Sequence, residues 1–276
     1  MSLTCVHFVV TTCGMEIARR CDLFLVKSLP LKDMVLLSLS FCGFVVLTNL
    51  SLQSNTVGTY QISKFMTTPC VMLIQSFFFE KTFQWNLKLT LVPVCLGVLI
   101  NNYNDIQLNT TGLLYASSGV VVTSIYQVWV GSKQHEFQAN SMQLLYYQAP
   151  LSAAFLMLII LFVEPPFSVG GVFNQIWSMA ALFFVLCSGA VAFLVNLSIF
   201  WVIGSTSPLT YNMAGHLKFC LIACGGFLIF HELPTLYQLL GIILTISGVL
   251  AYTYIKLEEQ KKPVEGKPSS RSHHSV

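Results

Sequence analysis

Charged residues are scarce in this chain of 276 residues. They make up 9% of the sequence, whereas hydrophobic residues make up 55% and the mean hydropathy is +0.72. Soluble domains carry about 25% charged residues, so the composition excludes an ordinary soluble domain and predicts an integral membrane protein. The net charge of +3 is small, and nucleic acid is not expected as a partner.

The sequence also lacks the motifs of several enzyme classes. It has no Walker loop, no nucleophile elbow and no zinc motif, so neither an enzyme nor an ATP-driven pump is indicated. Its nine cysteines form no Cys-x-x-Cys pair and lie mostly within apolar stretches. We interpret them as small packing residues, and we expect no metal and no other cofactor.

Nine apolar stretches approach the length that spans a bilayer, which is roughly 20 residues. They cover 2–18, 34–53, 58–79, 87–103, 111–130, 142–163, 178–202, 208–230 and 236–255. The predicted fold is therefore an all-α membrane protein with about nine transmembrane helices in a transporter domain over residues 1–257. The polar remainder, 258–276, is predicted to be a disordered tail.

The basic residues predict the orientation of these helices. Of the fourteen lysines and arginines, twelve fall in the tail and in or at the edges of the loops after the first, third, fifth and seventh stretches. The loops on the opposite side hold none. Because cytoplasmic loops carry an excess of Lys and Arg, this split predicts a cytoplasmic C-terminus and an N-terminus on the far side.

The other two basic residues, Lys64 and Lys218, lie inside apolar stretches. A lysine at the centre of a bilayer costs about 2.5–3.5 kcal/mol on insertion scales. No acidic residue lies deep in any stretch to balance the two charges. One interpretation is a positively charged pocket for an anionic solute; the other is snorkelling of the ammonium groups to the interface, which is harder for Lys218 because it lies near the middle of its stretch.

The two halves of the chain, about 1–103 and 111–257, are similar to each other in sequence. Asn49-Leu50-Ser51 recurs 147 residues later, whereas Thr59-Tyr60 and Gly97-Val98-Leu99 recur 151 residues later. This pattern predicts an inverted-repeat transporter with its site between the repeats. The first four stretches correspond to the last four, and the fifth has no counterpart. The expected parent arrangement therefore has ten helices, and its first helix is missing from this sequence.

Two segments also resemble a known family. Thr59 to Lys64 with Pro69, and Ser207 to Tyr211 followed by Lys218, are similar to the solute carrier 35 family. This is the nucleotide-sugar and triose-phosphate translocator branch of the drug/metabolite transporter superfamily, and the similarity is greatest to its orphan E subfamily. The resemblance implies ten helices in two inverted repeats, and exchange of a phosphorylated solute for phosphate or a nucleoside monophosphate across an endomembrane.

The resemblance also assigns roles to individual residues. Lys64 and Lys218 stand where the triose-phosphate branch has phosphate-binding lysines, and Thr48 matches a substrate-side hydroxyl. That branch has an arginine, a tyrosine and a histidine where this sequence has Phe219, Val195 and Val45. Since phenylalanine cannot replace the bidentate phosphate recognition of arginine, triose phosphate is not the expected substrate.

Five further residues complete the predicted substrate-binding set. Tyr146, Tyr147 and Gln148 lie in a segment that partly resembles the nucleobase-reading motif of nucleotide-sugar transporters, although a helix-interface role is the alternative. Asn196 is a polar group in an apolar stretch that either lines the cavity or bonds a neighbouring helix. Tyr211 belongs to the repeated Thr-Tyr pair.

The predicted function is a secondary antiporter that moves an anionic, phosphate-bearing metabolite, first of all a nucleotide sugar, across the Golgi or endoplasmic reticulum membrane. The expected partners are that anionic substrate, a counter-substrate such as a nucleoside monophosphate or phosphate, and membrane lipid; a homodimer is allowed. Two alternatives stay open: a transporter of another small solute in the same fold, and a non-transporting or accessory membrane protein.

Overall fold

The computed structural model describes residues 1–106, 109–165, 174, 177–231 and 233–261, and its regular structure there is helical, without strands. The fold is therefore all-α, as predicted. Ten α-helices follow one another along the chain: α1 Ser2–Arg20, α2 Leu31–Ser54, α3 Val57–Phe78, α4 Trp85–Leu89, α5 Leu91–Asn101, α6 Thr110–Glu136, α7 Ser141–Val163, α8 Met179–Ser205, α9 Pro208–Phe230 and α10 Leu236–Lys261.

These helices correspond to the nine predicted stretches, because the fourth stretch is divided in two. Pro93 has no N–H to donate to the carbonyl of Leu89, and its ring would collide with that carbonyl. The helix accordingly breaks at Thr90, between α4 and α5. Among the described residues, six helices are long and apolar enough to cross a membrane by length and composition: α2, α6, α7, α8, α9 and α10.

The end of α10 differs from the prediction. The helix continues to Lys261, whereas the sequence predicted a disordered tail from residue 258. Pairs one turn apart extend it, since the Tyr254 hydroxyl donates to Glu258 at 3.0 Å and Lys256 Nζ lies 2.7 Å from Glu259. The rest of the predicted tail, 262–276, lies outside the described residues.

The helices pack in two groups. The larger apolar core joins α1, α2, α6, α7 and α8, with Leu144 and Leu145 of α7 fully buried at its centre. A smaller cluster joins α3, α4, α5, α9 and α10. The helix without a repeat counterpart, α6, packs along both α2 and α3 and therefore lies beside the repeat interface.

The contact between α5 and α10 repeats itself across the two halves. A Cβ atom on Gly97 would contact Thr245, and one on Gly248 would lie 2.6 Å from Val94. Gly97 and Gly248 are 151 residues apart, and so are Val94 and Thr245. The two contacts are thus counterparts of each other, as expected when a duplicated pair of helices packs face to face.

The N-termini of α3 and α9 share the same cap. The Thr56 hydroxyl accepts a hydrogen bond from the backbone N–H of Thr59 at 3.3 Å, and the Ser207 hydroxyl accepts one from Thr210 at 3.1 Å. These residues again correspond at the offset of 151. A hydroxyl cap satisfies backbone donors that a helix start leaves unpaired. The corresponding helices α3 and α9 therefore begin with the same kind of cap.

The close approach of α5 and α10 predicts that Gly241 tolerates no side chain. A Cβ there would lie 2.5 Å from the Gly97 carbonyl oxygen and 2.7 Å from the Asn101 nitrogen, both backbone atoms. Gly241→Ala should therefore destabilise the protein by about 1–3 kcal/mol through overpacking, measured as a lower unfolding temperature in detergent. Gly225→Ala is the matched control, because nothing lies within 4 Å of a Cβ there; equal unfolding temperatures for the two variants would contradict this packing.

Candidate functional site

A cavity of about 490 Å³ lies between α2, α3, α6 and α9. Its lining comes from the second half of α2, the first half of α3, the middle of α6 and residues 211–223 of α9. The cavity therefore extends from the middle of the helices towards the end at which α2 ends and α3 begins. Its volume falls within the range of about 300–1,000 Å³ that small-molecule sites occupy.

Both membrane lysines line this cavity. Lys64 comes from α3 and Lys218 from α9, and both side chains are exposed. The Lys64 ammonium lies 5.3 Å from the centre of the Tyr60 ring, within reach of a cation–π interaction. In the described part of the chain, neither lysine has an acidic group at ion-pair distance. The cavity thus presents two positive charges without a countercharge.

Contacts between aromatic rings join α3 to α9 beside both lysines in the sequence. The ring of Phe65, next to Lys64, stacks on His216 with centroids 4.4 Å apart, and it meets Phe219 edge-on at 5.1 Å. The hydroxyl of Thr68 lies 2.7 Å from His216 Nε2. Because each lysine is next in sequence to a ring in this stack, the crossing positions the two helix segments that carry the charges.

The walls of the cavity combine hydroxyl, amide and aromatic groups. The aromatic side chains include Phe44 and Tyr60, and the remaining polar ones are mostly hydroxyls. These hydroxyl-bearing residues are Thr48, Ser51, Ser63, Thr67 and Thr123. Such a lining offers several hydrogen bonds to a polar solute, together with flat surfaces for a ring.

Where α6 meets α9, the residues that line this cavity come close in sequence to those that line a second one, and we call this region the barrier. There the Asn212 side chain donates from Nδ2 to Oε1 of Gln127 at 2.8 Å, which joins α9 to α6. A second cavity, of about 590 Å³, opens on the other side and is lined by Val128 of α6 and Pro208 of α9. On α6 the two linings are one residue apart, and on α9 Tyr211 is three residues, roughly 4.5 Å, from Pro208.

Four of the eight predicted binding residues meet in the first cavity: Thr48, Lys64, Tyr211 and Lys218. They come from three helices, and Tyr211 is the repeat counterpart of Tyr60 on the facing helix. The family motif had indicated Lys64, the motif and the repeat had both indicated Tyr211, and the structure brings these residues into one lining.

The other four lie outside the residues that line it. Tyr146 and Tyr147 pack edge-on against each other at 5.6 Å, beside the larger core. Gln148 is fully buried and donates to the Tyr126 hydroxyl at 2.9 Å. Asn196 donates to Thr11 of α1 at 3.4 Å. These are the helix-interface positions that the sequence left open as alternatives, and a substrate role for the four stays a prediction.

The amide pair at the barrier was not predicted from the sequence. Gln127 and Asn212 are polar side chains in apolar stretches, and Asn212 directly follows the repeated Thr-Tyr pair. Gln127 stands one helical turn after Thr123, another lining residue, so a polar stripe on the unpaired helix was a usable signal. No sequence pattern indicated that the two amides would meet.

Comparisons with known proteins identify the family. The sequence profile of the Triose-phosphate Transporter family matches residues 1–253. The chain belongs to this family. It is a multi-pass membrane transporter and not an enzyme. The family match confirms the nucleotide-sugar and triose-phosphate branch that the two motifs indicated, whereas membership of the E subfamily stays a prediction.

Several curated relatives are similar to this transporter over most of its length. UDP-xylose transporter 2 of Arabidopsis thaliana is 34% identical over 96% of this chain and 75% of its own. UDP-rhamnose/UDP-galactose transporter 2 of the same organism is 30% identical over 95% of this chain and 75% of its own. A GDP-mannose transporter of that organism is 28% identical over 95% and 79%.

A solved crystal structure shares the fold. It superposes with a TM-score of 0.71 over 94% of this chain and 88% of its own, at 13% sequence identity. At that identity the likeness concerns the helix arrangement alone.

The placement of the predicted residues is testable by cysteine labelling. Thr48→Cys should react with a hydrophilic maleimide in detergent faster than the parent protein does, because Thr48 lines the open cavity. Gln148→Cys should not react above the parent's background, since Gln148 is fully buried against Tyr126. Labelling after denaturation gives the total for each variant. Equal native labelling rates for Thr48→Cys and Gln148→Cys would refute this description of the cavity.

Proposed function

We propose that this transporter is a secondary antiporter that exchanges a phosphate-bearing anion, a nucleotide sugar, across a membrane of the Golgi or endoplasmic reticulum. The observation that carries the proposal is the pair Lys64 and Lys218, two cations without a countercharge among the described residues, in a cavity of about 490 Å³. The relatives named as UDP-sugar and GDP-mannose transporters support the substrate class.

In this proposal the two lysines bind the phosphate or diphosphate. Thr48 and Tyr211, which line the same cavity, bind the adjoining part of the solute. Phe219 beside Lys218 gives the phosphate site one point charge on α9 rather than an arginine fork, which argues against a small triose phosphate. The surrounding hydroxyls suit a glycosyl group, because sugars present many hydroxyls that both donate and accept.

The exchange mechanism follows from the electrostatics of the empty carrier. Moving two unpaired ammonium groups through a closed, low-dielectric state is costly, because their desolvation is not offset by a counterion. A bound phosphate or diphosphate supplies that counterion. The loaded carrier should therefore change conformation more readily than the empty one, and this favours exchange over net transport. The thin barrier between the two cavities gives a route by which the site could open to the other side.

The proposed orientation places the C-terminus in the cytoplasm. Lys133 bonds to Asp33 at 2.8 Å, and Lys27 donates to the Phe137 carbonyl at 2.7 Å. These basic residues gather where α2 begins and α6 ends, the end that the charge distribution assigns to the cytoplasm. The first cavity then faces the lumen.

Removing one lysine should eliminate exchange. Lys218→Ala removes a positive charge without disturbing a packed side chain, so exchange of UMP for a UDP-sugar in proteoliposomes should fall at least about tenfold, the loss expected for a charge-assisted contact. Lys218→Arg should also be impaired, since the larger planar group differs from a point charge. Lys261→Ala, at the exposed end of α10, is the matched control. Full exchange by Lys218→Ala would remove this residue from the binding site.

The orientation is tested separately. A tag appended to the C-terminus should be digested by protease added to sealed microsomes, because the twelve-to-none distribution of basic residues places that terminus outside the lumen. A tag inserted in the loop between α2 and α3 should be protected until detergent is added. The reverse pattern would invert the assigned side of every loop.

A further inference from the structure

The amide pair at the barrier is built as a recognition group. Gln127 and Asn212 are 7% and 8% exposed, and both line the cavity that holds the lysines. Their mutual hydrogen bond, at 2.8 Å, uses one atom of each amide. Every amide carries one oxygen that accepts and one nitrogen that donates, so each residue keeps a second polar atom.

These remaining atoms are the Asn212 oxygen, an acceptor, and the Gln127 nitrogen, a donor. Neither makes another hydrogen bond within the described residues, and neither is among the fully enclosed side-chain atoms without a partner. Neither atom is therefore fully enclosed, and both residues line the cavity. Rotating both amides by 180° exchanges the two roles but leaves the same result: one donor beside one acceptor.

We propose that Gln127 and Asn212 recognise the base of the nucleotide, through the edge of a uracil that presents N3–H beside a carbonyl oxygen. The amide oxygen accepts from N3–H, and the amide nitrogen donates to the neighbouring carbonyl. This inference rests on the proposed function, since it places a base on a solute whose phosphates bind the lysines. It makes the pair specificity-determining, while the lysines supply charge recognition common to all nucleotides.

The position of the pair on α9 fits this assignment. Asn212 precedes Lys218 by six residues, which is about 9 Å along the helix axis. The base end of the solute would then lie at the barrier and the phosphate end nearer the opening. Tyr211, which also lines the cavity, offers a ring on which a base can stack.

The competing explanation is that the pair only ties α6 to α9. A purely structural bond would affect every ligand equally, whereas a base-reading pair would affect only ligands whose edge it reads. A site built to bond a polar group rejects an analogue that lacks it, because its own buried atoms are then left unpaired. Methylation of the base at N3 removes the donor and leaves the phosphate unchanged, so UMP and 3-methyl-UMP separate the two explanations.

The test measures equilibrium binding of UMP and 3-methyl-UMP to the full chain, purified in detergent, by titration calorimetry. The intact protein should prefer UMP by about tenfold or more. Gln127→Met and Asn212→Leu should bind the two ligands alike, with UMP affinity reduced to the level of 3-methyl-UMP. Gln134→Met is the matched control: this buried glutamine stands two turns further along α6 and donates to the Phe200 carbonyl at 3.1 Å, so its removal should leave the preference intact.

The outcomes separate this inference from the proposed function. Equal affinity of the intact protein for UMP and 3-methyl-UMP overturns base reading and leaves the proposed function standing; this comparison needs no variant to fold. The inference is also overturned if Gln127→Met and Asn212→Leu bind both ligands more weakly by the same factor, or if they keep the full preference for UMP. Lys218→Ala should weaken both ligands and preserve their ratio. No binding of UMP by the intact protein overturns both proposals.

Discussion

The charge of two lysines inside an apolar protein constrains the rest of this structure. An ammonium group in a membrane needs water, an anion or several acceptors, and among the described residues Lys64 and Lys218 have no acidic partner. The cavity supplies the space for water or an anion, and the hydroxyl-bearing face of α3 is turned towards it. This explains why α3 is not among the six described helices that are apolar enough, by composition, to cross a membrane.

The glycines of α5 and α10 allow these two helices to pack closely. Within a membrane, association of helices gains little from the hydrophobic effect, since lipid tails are as apolar as the side chains they replace. Because Gly97, Gly241 and Gly248 have no Cβ, the two backbones lie so close that a Cβ at any of these positions would collide with the other helix. This tight pair packs against α3 and α9 through the smaller apolar cluster, and so it supports the helices that carry both lysines.

Most of the fold could be predicted from the sequence because apolar length and internal repetition are strong signals. The nine stretches became helices, and the 151-residue offset recurs in the contacts of Gly97 and Gly248. The break at Thr90 was missed although Pro93 is visible in the sequence, because a proline near a helix start is usually tolerated. The end of α10 was missed because side-chain pairs, rather than apolar residues, extend it.

The site was predictable only in part. A lysine in an apolar stretch is conspicuous, so Lys64 and Lys218 could be found without a structure. The face to which a polar residue points depends on which helices become neighbours, and Asn196 and Gln148 bond to other helices instead of lining the cavity. Gln127 and Asn212 come from distant parts of the chain, and only the packing of α6 against α9 reveals that they form a pair.

The crossing of α3 and α9 has a consequence for the balance between conformations. Phe65 and His216 are repeat counterparts 151 residues apart, and the contact of Thr68 with His216 corresponds to that of Phe219 with Phe65. If the two halves trade conformations, each of these contacts maps onto one already present. The crossing would then remain in contact in both end states.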